Sequence, residues 1–327
     1  MKAFTYQRAG SAEDAARLAA HPGAMLLAGG TTLLDLAKCG VAEPDMLVDI
    51  GHISGLDAIA VDAGGATIGA LAKMSAVADH AGMRAAFPAV AESLSQAASA
   101  QLRNMATIGG NLLQRTRCPY FRDPAAFPAC NKRDPGSGCA AIGGVTRNHA
   151  VLGTSEACIA TYPGDLAVAL VAFDAAVRLG GRTIAVEEFF LVPGDTPARE
   201  HAIGPGEMIT AVAIPASPAA RRSTFLKVRD RQSYEFAAAS AAVGLELGPD
   251  GRTIRDLRVA LGGVATVPWR CRAVEDALKG TLLEPESVRA ASRLAVEGAV
   301  AQADNAHKID LAPRLVARAI LSLGGLA

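Results

Sequence analysis

Apolar residues along the chain gather into short runs separated by glycine, proline and polar clusters. Residues 24–28 (AMLLA) are an apolar run that Gly29 and Gly30 break, and Thr31 stands where it would cap a helix over 32–38. Strand, turn and helix are predicted there. Runs at 46–50 and 67–71 predict further strands, and 89–99 has helical spacing before a second glycine pair, Gly109 and Gly110. From 114 to 161 the pattern lapses, because Pro119, Pro124, Pro128 and Pro135 with Gly136, Gly138, Gly143 and Gly144 leave no room for a long regular element. A loop of that length inside a folded domain is usually functional or disordered. A helix is predicted over 165–176, with Asp165 as its N-cap, and strands over 208–214 and 225–228. Residues 216–220, followed by Arg221 and Arg222, read as a linker. Beyond it 237–247 and 257–261 alternate as strands, while 285–300 and 311–323 have helical spacing. The pattern predicts an α+β chain of two domains, 1–220 and 221–327, with 115–160 as an irregular insertion and no internal repeat.

Composition narrows the function classes. A chain of 327 residues has the length of about two domains, and an aromatic share of 4% leaves Ala, Val, Leu and Ile to fill the core. Its 32 basic side chains balance 32 acidic ones, with no basic run, which sets aside nucleic acid and anionic membrane surfaces as partners. The longest apolar run, 166–173, ends at Asp174, far short of the ~20 residues of a membrane helix, so no membrane span is expected. The N-terminus lacks the apolar core of a secretory signal. A soluble protein is expected, cytoplasmic or carried to the periplasm by a signal-bearing partner.

Four of the six cysteines, Cys118, Cys130, Cys139 and Cys158, fall inside the irregular segment with eleven, eight and eighteen residues between them. No pair has the short knuckle spacing of structural zinc. Zinc stays open, but a loose loop wrapped around a larger object suits the spacing better, and thiolate-bound iron-sulfur clusters are such objects. Six basic residues in 114–161 (Arg115, Arg117, Arg122, Lys132, Arg133, Arg147) face three acidic ones (Asp123, Asp134, Glu156), an excess that suits an anionic cluster. Four buried free thiols are the plainer alternative, though such a loop offers little core to bury them. The two glycine pairs, each between an apolar run and a following helix, either make ordinary turns or expose backbone N–H groups that cradle phosphate. Two such loops would grip the two phosphates of one dinucleotide. Asp165 is otherwise a helix cap, and Lys227 and Arg231 otherwise solvated charges. Cys39 and Cys271 read as structural; no histidine pair has ligand spacing and no G-x-S-x-G elbow is present.

Taken together, LLAGGTTLLDL (26–36), ATIGGNLL (106–113), YPGDLAVAL (162–170), FLKVRDRQSYEFAAAS (225–240) and VALGGVATVPWR (259–270) resemble the FAD-binding subunit of the molybdenum hydroxylases, the xanthine dehydrogenase and aldehyde oxidoreductase family. QRTRCPYF, ACNKRDPGSGC and LGTSEACIAT resemble the bacterial aldehyde oxidoreductase FAD subunits and, more distantly, the FAD subunit of 4-hydroxybenzoyl-CoA reductase, which carry an extra 4Fe-4S cluster in this insertion. The resemblance implies a two-part FAD-binding domain of the vanillyl-alcohol-oxidase type, followed by a smaller α+β domain with an antiparallel sheet. It implies that Leu26, Leu27, Ala28, Gly29, Gly30, Thr31, Thr32 and Leu33, with Thr107, Gly109, Gly110 and Asn111, clamp the FAD. Asp165, Ile209 and Lys227 fall at flavin-contact positions, Ile209 through the looser motif GPGEMITAVAIP. Related oxidases attach flavin covalently through a histidine after the paired glycines; Thr31 and Thr32 stand there, which implies non-covalent FAD. The implied partners are a large subunit with the molybdenum cofactor and a small one with two 2Fe-2S clusters. Electrons then leave through this chain's FAD, with its 4Fe-4S cluster on the four cysteines, to an external acceptor, and no residue here is catalytic. The rival reading is a non-redox nucleotide-binding module with a structural zinc loop.

Overall fold

Strands Thr5–Arg8 (β1), Ala24–Leu27 (β2) and Met46–Asp49 (β3) pair in parallel in the order β1-β3-β2, within a computed structural model that describes residues 1–326. The apolar run 46–50 takes the centre of this sheet and is its most buried strand, as a strand flanked on both edges must be. Helices Ala12–Ala19 and Leu33–Lys38 supply the crossovers that parallel strands require. A second sheet, antiparallel throughout, joins Ile59–Asp62 (β4), Gly65–Gly69 (β5), Ala176–Leu179 (β6), Arg182–Ala185 (β7) and Ile209–Pro215 (β8) in the order β4-β5-β8-β6-β7. The third joins Ser223–Val228 (β9), Ala239–Leu247 (β10), Ile254–Gly262 (β11) and Trp269–Arg270 (β12) in the order β12-β11-β10-β9, with the long helix His307–Gly324 across β10. The parallel sheet, the antiparallel sheet and the helices between them form the two-part first domain, and the third sheet with its helices forms the α+β C-terminal part.

Helix Leu166–Ala172 (LAVALVA) is apolar on every side, so it is buried on every side, packed against β10 and β11 and against helix Pro88–Ser95. Buried Arg270 donates from Nη1 to the carbonyls of Val171 (2.5 Å) and Ala172 (2.7 Å) at the helix's C-terminal end, and its guanidinium pairs with Glu275 (2.5 Å). A cation there also complements the helix dipole. The same core takes in Phe225, Ala242 and Ala260, so it runs on past residue 220. Within residues 216–220, read as a linker, Pro218 starts a short helix, Pro218–Arg221, capped by Ser217, with Ala219 and Ala220 buried. A linker pattern and a short alanine helix look alike until something packs on them.

Other elements differ in extent. The helix read over 89–99 stops at Ser95, and 285–300 divides into helix Pro285–Ser292 and a 3-10 turn, Arg293–Val296. Strands β1, β4, β6 and β7 and helices such as Met74–Asp79 and Ala100–Met105 went unread, being only four to six residues long. The segment 114–161 is irregular apart from Pro119–Arg122, as the proline and glycine content predicts, but it is tied down. Arg115 and Lys132 both pair with Glu200, Arg117 and Arg122 both pair with Asp35, and Val151 N–H donates to Val264 O at 2.8 Å.

Candidate functional site

The two glycine loops meet. A side chain on Gly29 would collide with the Met105 carbonyl oxygen, so the first loop packs against the backbone just before the second. Gly30 has φ +71°, a left-handed conformation that favours glycine. The helix after it begins at Leu33 with Thr32, not Thr31, as N-cap, and the Thr32 side chain makes no capping bond. Both threonine hydroxyls are therefore free to line the neighbouring cavity. Among the described residues, the N–H groups of Gly29, Gly30, Thr31 and Thr32 find no backbone acceptor, which leaves a nest of donors beside the cavity.

The second loop works differently. Gly109 N–H donates to Ala70 O at 2.8 Å, Ile108 N–H to Ala72 O at 3.0 Å and Gly110 N–H to the Thr107 hydroxyl at 3.3 Å, so these donors are spent inside the protein. What this loop turns toward the cavity is Gly110 and the Asn111 amide, whose Oδ1 is buried and unpartnered. A buried acceptor without a partner costs free energy unless a ligand supplies the donor. The cavity, about 430 Å³, is completed by Asp165, Arg117 and the segment Arg231 to Phe236.

Asp165 occupies the N-cap position of helix Leu166–Ala172 but makes no capping bond there. Its carboxylate turns to Lys227, Nζ to Oδ2 at 2.6 Å, with both side chains almost wholly buried. Burial pushes the Asp165 carboxyl up, and Lys227 and Arg229 oppose that shift. Lys227 stands behind Asp165, bonded also to Gln96 O (3.3 Å), and faces a separate surface depression. Ile209 is a core residue of β8 opposite Leu179 and lines neither this cavity nor the smaller one beside Cys118. Leu26, Leu27, Ala28, Gly29, Gly30, Leu33, Thr107 and Gly109 shape the loops without lining the cavity.

A second cavity of about 240 Å³ shares Arg117, Pro163, Glu235 and Phe236 with the first and reaches Cys118 and His149. All four loop cysteines are free thiols, two of them buried. They converge: Cys130 and Cys139 pair across a β-bridge, an ionised Cys118 would be repelled by Cys130 and Cys158, and Cys158 by Cys139 and Cys130. Burial lifts the Cys118 thiol to about 12, while the N–H groups of Phe121 and Tyr120 pull the other way; Ala160 N–H lies 3.4 Å from Cys158 Sγ. No three His, Cys, Asp or Glu side chains among the described residues lie close enough to hold a single metal ion.

Sequence reading missed Arg117, Gln114, Met74, Tyr234 and Phe236 as cavity residues. Two exposed aromatics in the polar run RDRQSYEF, in a chain this poor in aromatics, were the available signal. Tyr234 has φ +54°, rare for a bulky side chain, and Arg117 lies 5.0 Å over the Phe236 ring.

The family described as the FAD binding domain in molybdopterin dehydrogenase matches residues 2–217, and the CO dehydrogenase flavoprotein C-terminal domain matches 224–323. The chain is 46% identical over 324 residues to the aldehyde oxidoreductase FAD-binding subunit PaoB of Escherichia coli (strain K12), covering 97% of each. It is 26% identical to the glyceraldehyde dehydrogenase medium chain of Sulfolobus acidocaldarius, over 88% of this chain and 84% of that one. Among solved structures, carbon monoxide dehydrogenase from Hydrogenophaga pseudoflava superposes with a TM-score of 0.75 at 24% identity, over 99% of this chain and 98% of that one. Quinoline 2-oxidoreductase from Pseudomonas putida 86 does so at 0.74 and 22%, over 99% and 98%. No helix among the described residues is long and apolar enough to cross a membrane.

Proposed function

Because the chain belongs to the FAD-binding medium subunits of the molybdenum hydroxylases, we propose that it is the electron-transfer subunit of an aldehyde-oxidising heterotrimer. Its partners in that reading are a large molybdenum-cofactor subunit and a small subunit with 2Fe-2S clusters. The observation that carries this is the cavity built where the glycine loops meet: free N–H groups of Gly29 to Thr32, the unpartnered Asn111 Oδ1 and uncapped threonine hydroxyls suit a pyrophosphate and a polyol. Bound FAD would supply the capacity to accept electrons from a partner subunit and release them to an external acceptor. The chain's own residues would do the rest. The first loop binds the phosphates, Asn111 donates to or accepts from the ribityl chain, and the Asp165–Lys227 pair fixes the wall beneath. Phe236 and Tyr234 cover the mouth and restrict water. With Thr31 and Thr32 after the glycines, attachment is non-covalent.

In the same reading Cys118, Cys130, Cys139 and Cys158 hold a 4Fe-4S cluster. Four converging free thiols, each within reach of at least one other, with N–H groups directed at Cys118 and Cys158, are a donor set suited to thiolate ligation. No three of them lie close enough to share a single metal ion, as a tetrahedral zinc site would need. A visible absorption spectrum with metal analysis of the protein purified with its partners tests both parts. Flavin bands, flavin released on acid precipitation, and about four irons per chain that disappear in Cys118→Ser are expected. The partner 2Fe-2S irons are subtracted using that same mutant. Stoichiometric zinc and no flavin would establish the non-redox module instead.

A further inference from the structure

His149 is a buried ionisable side chain whose placement the FAD site does not account for. Its Nε2 lies 3.2 Å from Cys118 Sγ, the residue is 3% exposed, and its other nitrogen, Nδ1, is buried without a partner. The position is enforced from the far end of the chain. Buried Asn305 donates from Nδ2 to the carbonyls of His149 (3.3 Å) and Ala150 (3.1 Å). Asp304 accepts from Thr146 N–H at 3.0 Å, and His149 N–H donates to Thr146 O at 2.8 Å. Tyr120 flanks the imidazole, ring centroids 5.9 Å apart. Residues from the C-terminal part thus hold an imidazole edge-on to one sulfur of the cysteine set, at the cost of leaving Nδ1 unsatisfied in the interior.

Resting on the cluster reading above, we propose that His149 is a positioning residue for that cluster: its Nε2–H donates to the Cys118 thiolate and raises the cluster's reduction potential. A thiolate ligand has lone pairs and no proton, so the proton in this contact belongs to the imidazole. Adding one electron to the cluster increases the negative charge on its sulfurs, so a donor aimed at one of them stabilises the reduced state more than the oxidised state. Hydrogen bonds with a charged partner are the strong ones, which makes a single contact enough to matter. The backbone N–H groups near Cys118 act on the same sulfur, but they come from the loop itself and survive any change at residue 149.

The test uses the complete complex, reduced stepwise with dithionite as the one-electron source and followed by low-temperature EPR, where the faster-relaxing 4Fe-4S signal separates from those of 2Fe-2S clusters. His149→Phe keeps the shape and removes the donor; His149→Gln replaces the donor with an amide N–H. The phenylalanine variant is expected to keep its iron and to show a reduced-to-oxidised ratio about tenfold lower at a given potential, equal to about 59 mV for a one-electron couple. The glutamine variant is expected to recover at least half of that. Equal shifts in both variants, no shift in either, or loss of four irons from the phenylalanine variant would each overturn the proposal. Wild-type complex without the 4Fe-4S signal would overturn the cluster reading itself, an outcome distinct from iron present at an unchanged potential.

Discussion

Asp165 and Lys227 illustrate how a single pair ties the site to the core. With 2.6 Å between charges and almost no exposure, removing one partner strands the other charge in the interior, which typically costs about 3–5 kcal/mol. Asp165→Ala is expected to lower unfolding free energy by that order in flavin-free protein, measured by denaturant titration, and Asp165→Asn by less because the amide still accepts from Nζ. An unchanged midpoint in both would refute the coupling. Glu200, outside the cysteine loop but paired with its Arg115 and Lys132, makes a parallel case. Burial alone would raise its carboxyl, but Lys132 and Arg115 outweigh burial and hold it below the ordinary 4.5. A lowered folded-state value means the carboxylate's contribution is complete above about pH 4.5 and is lost as pH falls through the lower folded value. Thermal unfolding between pH 6 and 3 is expected to fall more steeply for wild type than for Glu200→Gln, which has no carboxylate to protonate. Parallel curves would count against the clamp.

At the scale of elements, the four glycines first read as equivalent divide into two kinds. Gly29, Gly30 and Gly109 have protein against them, the Met105 carbonyl, Leu34 and Ala70, and Gly30 is also left-handed, so a side chain there strains the fold. Gly110 has only the Thr107 hydroxyl, at 3.1 Å, and otherwise opens on the cavity. Gly110→Val is therefore expected to give a folded protein that retains flavin about tenfold less well, about 1.4 kcal/mol of affinity. Gly29→Ala is expected to lower the melting temperature as well as the flavin content. Flavin-to-protein absorbance ratios and calorimetry on both variants separate the effects, and full flavin in Gly110→Val would remove this loop from the site. The cysteine loop shows a similar division. Its ion pairs to Asp35 and Glu200 and its bridge to Val264 anchor it without a metal. Cluster loss is thus expected to relax the residues around the four thiols, not the whole of 115–160.

For the whole molecule, the proposed role makes this chain's flavin dependent on a neighbouring subunit for its electrons. Co-purification is expected to show this chain with one larger and one smaller subunit on a denaturing gel after size exclusion, while the isolated chain leaves aldehydes untouched. Aldehyde oxidation by the chain alone would overturn the reading. The sequence by itself determined the elements whose signal is local: the apolar runs of β2, β3, β5, β8, β10 and β11, an apolar helix read over 165–176 and formed over 166–172, and the absence of a long regular element from 114 to 161. It also exposed the motifs that carry the family, because glycine pairs and cysteines are rare enough in fixed order to be specific. Only the tertiary structure decided which of those residues face the cavity. Thr31 and Thr32 line a cavity because neither caps its helix, Asp165 pairs with Lys227 sixty-two positions away, and Ile209 is buried core. Arg117, Phe236 and His149 owe their roles to neighbours distant in the chain, Asp35, Gly110 and Asn305 among them. Propensity and pattern act over a turn or a strand, whereas a cavity wall is assembled by packing between elements that no local period records.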